Sequence, residues 1–316
     1  MEVIVDRARE AGRFAAWAGR GLVEEGRRHR VSGLAAEVAF YGILSFVPTI
    51  LALAAAIGSL GTIIGEEAAR QAEGEVIGFL SDVLTDDASE TIDAVRDLFD
   101  SPRPDLLTVG LVLAVWGASR GFTAVIRALN LIYDVDERRS WVGVRILAIG
   151  LSMGSVVMVS LLLAVLVVGP LLGLGTDLAD ELGLGGASRA LWDWVRLPFA
   201  GVAFVAWAAT LLHLAPFRRT PWRWDLPGAA FAAIVWIAVS VALRTYLEVA
   251  SGSNQVFGSL GGALVVIVWL YLLAVGLLLG GELNALLAER YDVEARVPSE
   301  RHAAWLRRLR AGLLPR

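Results

Sequence analysis

Cysteine and lysine are both missing from the 316 residues, and histidine occurs only three times. Without cysteine there is no disulfide framework, no thiolate metal site and no thiol nucleophile, whatever the compartment. Charge is scarce too. Only 19% of the side chains are charged against 56% hydrophobic, an apolar share above that of ordinary soluble domains. A metal-dependent phosphodiesterase needs several His and carboxylates converging on an ion that activates water and neutralises phosphate. His29, His213 and His302 are scattered over the leading segment, the middle and the tail, with no His-x-x-His and no glycine-rich phosphate loop. The reading is a non-enzyme with no cofactor and no resident metal. No apolar run near the start has the form of a cleavable signal-peptide core, so the first hydrophobic block is expected to stay in the mature protein.

What the chain has in abundance is long uncharged sequence. Blocks free of Asp, Glu and Arg run over 38–65, 106–119, 146–176, 197–217, 226–243 and 249–281. A hydrocarbon core of about 30 Å needs about 20 helical residues. Five blocks meet that length, and the block at 106–119 does so if its helix continues through Arg120 to Tyr133. The expected fold is all-α: a single polytopic helical membrane domain over 1–316 with six transmembrane helices. It comprises an amphipathic lead at 1–35, a bundle at 36–290 and a basic tail at 291–316.

Charge sets the expected orientation. All 28 basic residues are Arg, and 22 of them fall in 1–37, 119–145, 218–225 and 282–316, leaving six in the alternate segments. With acids included, the first set carries +7 and the second −11. Positive segments stay inside, so both termini are expected in the cytoplasm of a cell whose cytoplasmic (inner) membrane holds the protein. The lead helix, and Arg307, Arg308 and Arg310 interleaved with Trp305, Leu306 and Leu309 in the tail, suit the anionic lipid of that leaflet. Membrane lipids are therefore the expected partners, and nucleic acid is not. Between the first two spans, Asp86, Glu90, Asp93, Asp97 and Asp100 share one face of the acidic segment 66–105. They spread along a line rather than converge, which reads as a solvated face.

Polar residues inside the blocks are the candidate pathway. Arg120 and Arg127 are seven apart, with Asn130 and Tyr133 further along, and an Arg at mid-bilayer costs roughly 2.5 kcal/mol or more. It therefore faces the bundle interior or snorkels to the interface. Glu282 and Asn284 end the sixth span at similar depth, so Arg120, Asn130, Glu282 and Asn284 are expected to share a polar region in which Arg120 pairs with Glu282. Pro48 and Pro170 break helical hydrogen bonding, and Asn254 sits in a polar glycine-rich loop before the sixth span. His213 reads as a hydrogen-bonded packing residue. The spacings Gly117 to Gly121, Gly150 to Gly154 and Gly276 to Gly280 permit close helix approach. They serve packing within the chain or, as the alternative, a homo-oligomer seam.

Three stretches resemble a known family: Phe40-Tyr-Gly-Ile-Leu-Ser-Phe-Val-Pro48, Arg127-Ala-Leu-Asn-Leu-Ile-Tyr133, and Phe257-Gly-Ser-Leu-Gly261 leading through Trp269, Leu270 and Tyr271 to Gly280-Gly-Glu-Leu-Asn284. Over roughly 31–290 the chain is similar to the YihY/BrkB (UPF0761) family. That resemblance implies six spans. Its relatives have been described as virulence factors and, historically, as a tRNA-processing ribonuclease (ribonuclease BN). Where many of them have Tyr-Gly-Ser, this chain has Phe257. Two functional readings remain: a transporter or translocator of an amphipathic anionic substrate such as a lipid or lipid-linked precursor, and a non-transporting scaffold or envelope-assembly factor. Walker motifs are missing, so transport would be passive or driven by an ion gradient.

Overall fold

Each uncharged block becomes the body of one helix, because a helix satisfies its own backbone and an apolar chain in lipid has no other donor or acceptor to turn to. The computed structural model describes residues 2–64, 74, 104–163, 165, 187–218, 220–250 and 258–293. Its long helices are α1 (Glu2–Arg28), α2 (Val31–Ile64), α3 (Pro104–Ile132), α4 (Trp141–Leu163), α5 (Ala187–Leu214), α6 (Leu226–Ala250) and α7 (Gly258–Arg290), with a 3₁₀ turn at Trp222–Trp224 before α6. No strand occurs among the described residues. Thr108–Ile132, Trp141–Leu162, Trp222–Tyr246 and Leu264–Arg290 are long and apolar enough to cross a bilayer, and Val31–Ser45 and Pro198–Leu214 are shorter apolar helical stretches. As expected, α3 carries the short block onward past Arg120 and Arg127.

Burial runs opposite to that of a water-soluble protein. Ala35, Ala124, Ala128, Ala148, Ala209 and Ala229 are buried, whereas Val112, Val157, Val202, Ile234 and Ile237 are each more than half exposed. Small residues inside let helices approach, and branched apolar residues outside suit lipid. The protein is a polytopic helical membrane protein.

The chain divides into two compact units, one of Met1–Val31, Ile126–Ile234 and Gly276–Arg316, the other of Ser32–Val125 and Val235–Val275. Within the second unit, a Cβ on Gly117 would press on the Ser45 backbone of α2, and the indole of Trp236 donates to the Leu273 carbonyl at 2.7 Å. The helix α2 runs on through Pro48 to Ile64. Beside that proline, Ser45 Oγ donates to Gly42 O at 2.9 Å and Thr49 Oγ1 to Ser45 O at 2.6 Å, so both hydroxyls are satisfied within the helix on either side of the Leu44 carbonyl that the proline leaves without a helical donor. Within the first unit, α4 and α5 meet where the ring of Trp207 lies on Gly154, with its Nε1 donating to Ser155 Oγ at 3.2 Å. The helices α6 and α7 meet at Gly228 and Gly280, where a Cβ on either would strike the other's carbonyl. Gly117, Gly154 and Gly280 thus each serve packing within the chain. Pro170, Asn254, the acidic stripe at 86–100 and the tail beyond 293 lie outside the described residues.

Two helices of the first unit end in the same way. Both α3 and α7 run into Tyr-Asp-Val, with Asp134 (φ 50°) and Asp292 (φ 47°) in the left-handed region. Val135 N donates to Asn130 O at 3.0 Å and Val293 N to Ala288 O at 2.9 Å, the bond that closes a Schellman motif. Asp tolerates that conformation better than most residues with a Cβ. These sharp stops place Asn130 and Asn284 within two turns of a helix end, where backbone carbonyls and N–H groups are left over.

Candidate functional site

Five buried polar residues of the first unit lie at helix ends or within about two turns of one: Asn130, Arg218, Asp225, Glu282 and Asn284 are all at most 8% exposed. Their partners explain how such groups are accommodated. The carboxamide of Asn284, on α7, accepts from Gly228 N at 2.7 Å and donates to Asp225 O at 3.1 Å. It therefore caps the start of α6, where the first N–H groups have no helical acceptor. Pro227 in that first turn has no N–H to satisfy. Asn130 makes the equivalent clasp elsewhere, accepting from Phe217 N at 2.7 Å and donating to Glu137 Oε2 at 2.9 Å.

Glu137 in turn accepts from the backbone N of Arg139 at 2.8 Å, and Arg139 closes the end of α5. Its guanidinium donates to Leu214 O, Ala215 O and Pro216 O at 3.2, 2.9 and 2.9 Å and lies over the Phe217 ring. A cation at a helix C-terminus meets both unpaired carbonyls and the negative end of the macrodipole.

Two His–carboxylate pairs complete the cluster. His29, between α1 and α2, donates from Nδ1 to Glu282 Oε1 at 2.8 Å, with Glu25 Oε2 3.9 Å from its Nε2. His213, near the end of α5, donates from Nδ1 to Asp225 Oδ2 at 2.8 Å. Each buried carboxylate is thereby met by one imidazole. Tyr133 differs: its ring is covered by Arg218, whose Cζ sits 3.4 Å from the ring centroid, and its buried hydroxyl makes no hydrogen bond.

Sequence reasoning placed Asn130, Tyr133, Glu282 and Asn284 among the site residues, and all four are buried in this unit. The carboxylate of Glu282, expected to pair with Arg120, is held by His29 instead. Arg120 and Arg127 are exposed, Arg120 resting over the Trp116 ring at 5.3 Å. The reason is depth along α3: Asn130 and Tyr133 sit at its end, where unpaired backbone groups call for polar partners, while Arg120 sits more than three turns earlier.

His29, Arg139, Arg218 and Asp225 were not singled out from sequence. Asp225 carried a signal, since an acid just before Leu226-Pro227 is a helix-start pattern, whereas His29 and Glu282 are 253 residues apart with nothing local to link them. The Gly-x-Ser-x-Gly spacing of a nucleophile elbow, expected to be absent, occurs twice, at Gly117-Ala-Ser119-Arg-Gly121, where the buried Ser119 hydroxyl donates to Trp116 O at 2.8 Å within α3, and at Gly150-Leu-Ser152-Met-Gly154. Ser152 lies inside α4, buried, with its hydroxyl bonded back to Ile149 O at 2.8 Å, so it presents no exposed nucleophile at a strand-to-helix turn. Among the described residues no group of three or more His, Asp or Glu could hold a metal ion.

Along α1, a cavity of about 1050 Å³ is lined by Arg13, Phe14 and Trp17 from α1 and by Leu286, Glu289 and Arg290 from α7, among others. The guanidinium of Arg290 lies 4.3 Å from the Trp17 ring centroid. Leu286 of α7 packs on Gly21, so the amphipathic lead is docked on the end of α7.

The sequence profile of the virulence factor BrkB family matches residues 22–304, a span that takes in this whole polar cluster. The chain belongs to the BrkB family. A ribonuclease-like protein, YfkH, of Bacillus subtilis (strain 168) is 29% identical over 83% of this chain and 92% of its own length. A UPF0761 membrane protein of Vibrio cholerae serotype O1 (strain ATCC 39315 / El Tor Inaba N16961) is 25% identical over 57% of this chain and 60% of its own. Another, of Alkalilimnicola ehrlichii, is 30% identical over 58% of this chain and 40% of its own, so the match spans less than two thirds of either UPF0761 relative. No solved structure matches. This BrkB-family chain is thus an integral membrane protein.

Proposed function

We propose that this BrkB-family protein moves an amphipathic anionic substrate, a lipid or lipid-linked precursor, across the cytoplasmic membrane without ATP and without hydrolytic chemistry. The supporting observation is Arg120. It is an exposed guanidinium on a membrane-spanning helix, stacked on Trp116, with Arg127 two turns further along. An Arg at mid-membrane depth is costly unless water or an anion meets it, and a planar guanidinium beside an aromatic ring suits an anionic headgroup more than a bare ion, which would need a closed coordinating filter. The proposal includes an orientation with both termini cytoplasmic, in which the −11 side lies outside and disfavours anion arrival there, so release is outward.

A scaffold reading has its own support, because Asn130, Asn284 and Arg139 bond largely to the backbone at helix ends. Flux decides between the two. Purified protein in liposomes with labelled anionic lipid should accelerate transbilayer movement, and Arg120→Ala should slow it. Flux equal to empty liposomes, with and without an imposed ion gradient, would favour the scaffold. Orientation is tested separately against a background free of cysteine: Ala88→Cys should react with an impermeant thiol reagent in intact cells and Glu300→Cys should not, and the reverse pattern would invert the topology.

A further inference from the structure

Tyr133 and Arg218 are each 8% exposed, and the Tyr133 hydroxyl is the one buried side-chain polar atom among the described residues that makes no hydrogen bond. Buried polar groups are nearly always hydrogen-bonded, so an exception needs an explanation. The Tyr133 hydroxyl has no hydrogen bond, although the side chains of Asn284 and Arg218 lie beside it. The guanidinium of Arg218 stacks on the Tyr133 ring, leaving its N–H edge for another ligand. Among the described residues no carboxylate oxygen comes within 4.0 Å of it, since the neighbouring Asp225 is hydrogen-bonded to His213. Asn284 uses one amide hydrogen on the Asp225 carbonyl and has a second to offer. Apart from the Tyr133 oxygen itself, which lies beside Arg218 and Asn284, three donors therefore stand together with no further acceptor among the described residues: a guanidinium fork, a phenol and an amide. All three residues belong to one compact unit, and Arg218 lies in the short connection between α5 and α6.

We infer that Tyr133, Arg218 and Asn284 form a binding site for a phosphate group, carried by a free phosphate or by a phospholipid headgroup. The fork of an arginine matches two phosphate oxygens, and a tetrahedral anion offers further oxygens to the phenol and amide, whereas a flat carboxylate satisfies the fork and little else. The site is distinct from Arg120 and is measured at equilibrium, so it stands or falls without any flux. Should the protein transport lipid, this would be a headgroup subsite.

The test uses the full chain, purified in an uncharged detergent, with the unfolding midpoint followed against inorganic phosphate, and in parallel in phosphatidylcholine nanodiscs with or without phosphatidic acid. A saturable rise in midpoint is expected from one or both. A rise with phosphate alone identifies a soluble ligand, and a rise with phosphatidic acid alone identifies the headgroup. Tyr133→Phe should weaken the apparent affinity about tenfold, as expected for losing a hydrogen bond to a charged group, while leaving the unliganded midpoint equal or higher because no bond is lost there. Arg218→Gln should abolish the shift, and if that variant does not fold, Tyr133→Phe decides alone. The inference is overturned if neither phosphate nor phosphatidic acid shifts the wild type, if Tyr133→Phe binds as the wild type does and the hydroxyl is met by water only, or if acetate works as well as phosphate.

Discussion

Both compact units pack helix bodies through small residues and indoles, but among the described residues the first adds a set of polar ties at helix ends. In the first, helix ends are tied by side chains to backbone: Asn284 to the start of α6, Asn130 to Phe217, Arg139 to the end of α5. In the second, helix bodies meet through small residues and indoles, with Gly117 against Ser45, Trp236 on the Leu273 carbonyl and Trp269 on Ser240. The backbone explains the contrast. Mid-helix N–H and C=O groups are already paired, so close packing is the main gain left, whereas each helix end leaves several groups that must find partners. Removing a polar side chain should accordingly cost far more in the first unit than in the second.

The largest effect is expected for His29→Ala, which leaves the Glu282 carboxylate, 1% exposed, without its imidazole. Breaking a buried pair from one side costs about 3 to 5 kcal/mol, and His29→Ala combined with Glu282→Gln should recover part of it, which a double-mutant cycle of unfolding free energies measures. Next is Asn130→Leu, which strips the Phe217 N–H of its acceptor for about 1 to 3 kcal/mol. In the second unit, Trp236→Phe removes one indole bond to Leu273 and should cost about 1 kcal/mol beyond the lost packing. Trp269→Phe, whose bond to Ser240 is exposed, should fall below about 0.5 kcal/mol. Should Trp269→Phe prove as damaging as Asn130→Leu, the distinction between polar-tied ends and packed bodies would fail. A Gly280→Ala variant sharpens it from the other side. Its methyl would meet the Gly228 carbonyl, and overpacking of this kind costs about 1 to 3 kcal/mol with every polar bond still present.

The membrane class and the helical blocks were legible in the sequence because hydropathy is local: a run without charge longer than a bilayer is a helix in lipid wherever it later packs. The continuation of α3 through two arginines was legible for the same reason, since the uncharged block alone was too short to cross. Four of the site residues, Asn130, Tyr133, Glu282 and Asn284, could be named as polar exceptions within apolar sequence. Their partners could not. That Glu282 meets His29 rather than Arg120, that Asn284 caps α6, and that Tyr133 lies under Arg218 with its hydroxyl free all depend on which helix ends come together. That is decided by the crossing at Gly228 and Gly280 and by the sharp stops at Asp134 and Asp292, contacts among residues far apart in the chain and therefore available only from the tertiary structure.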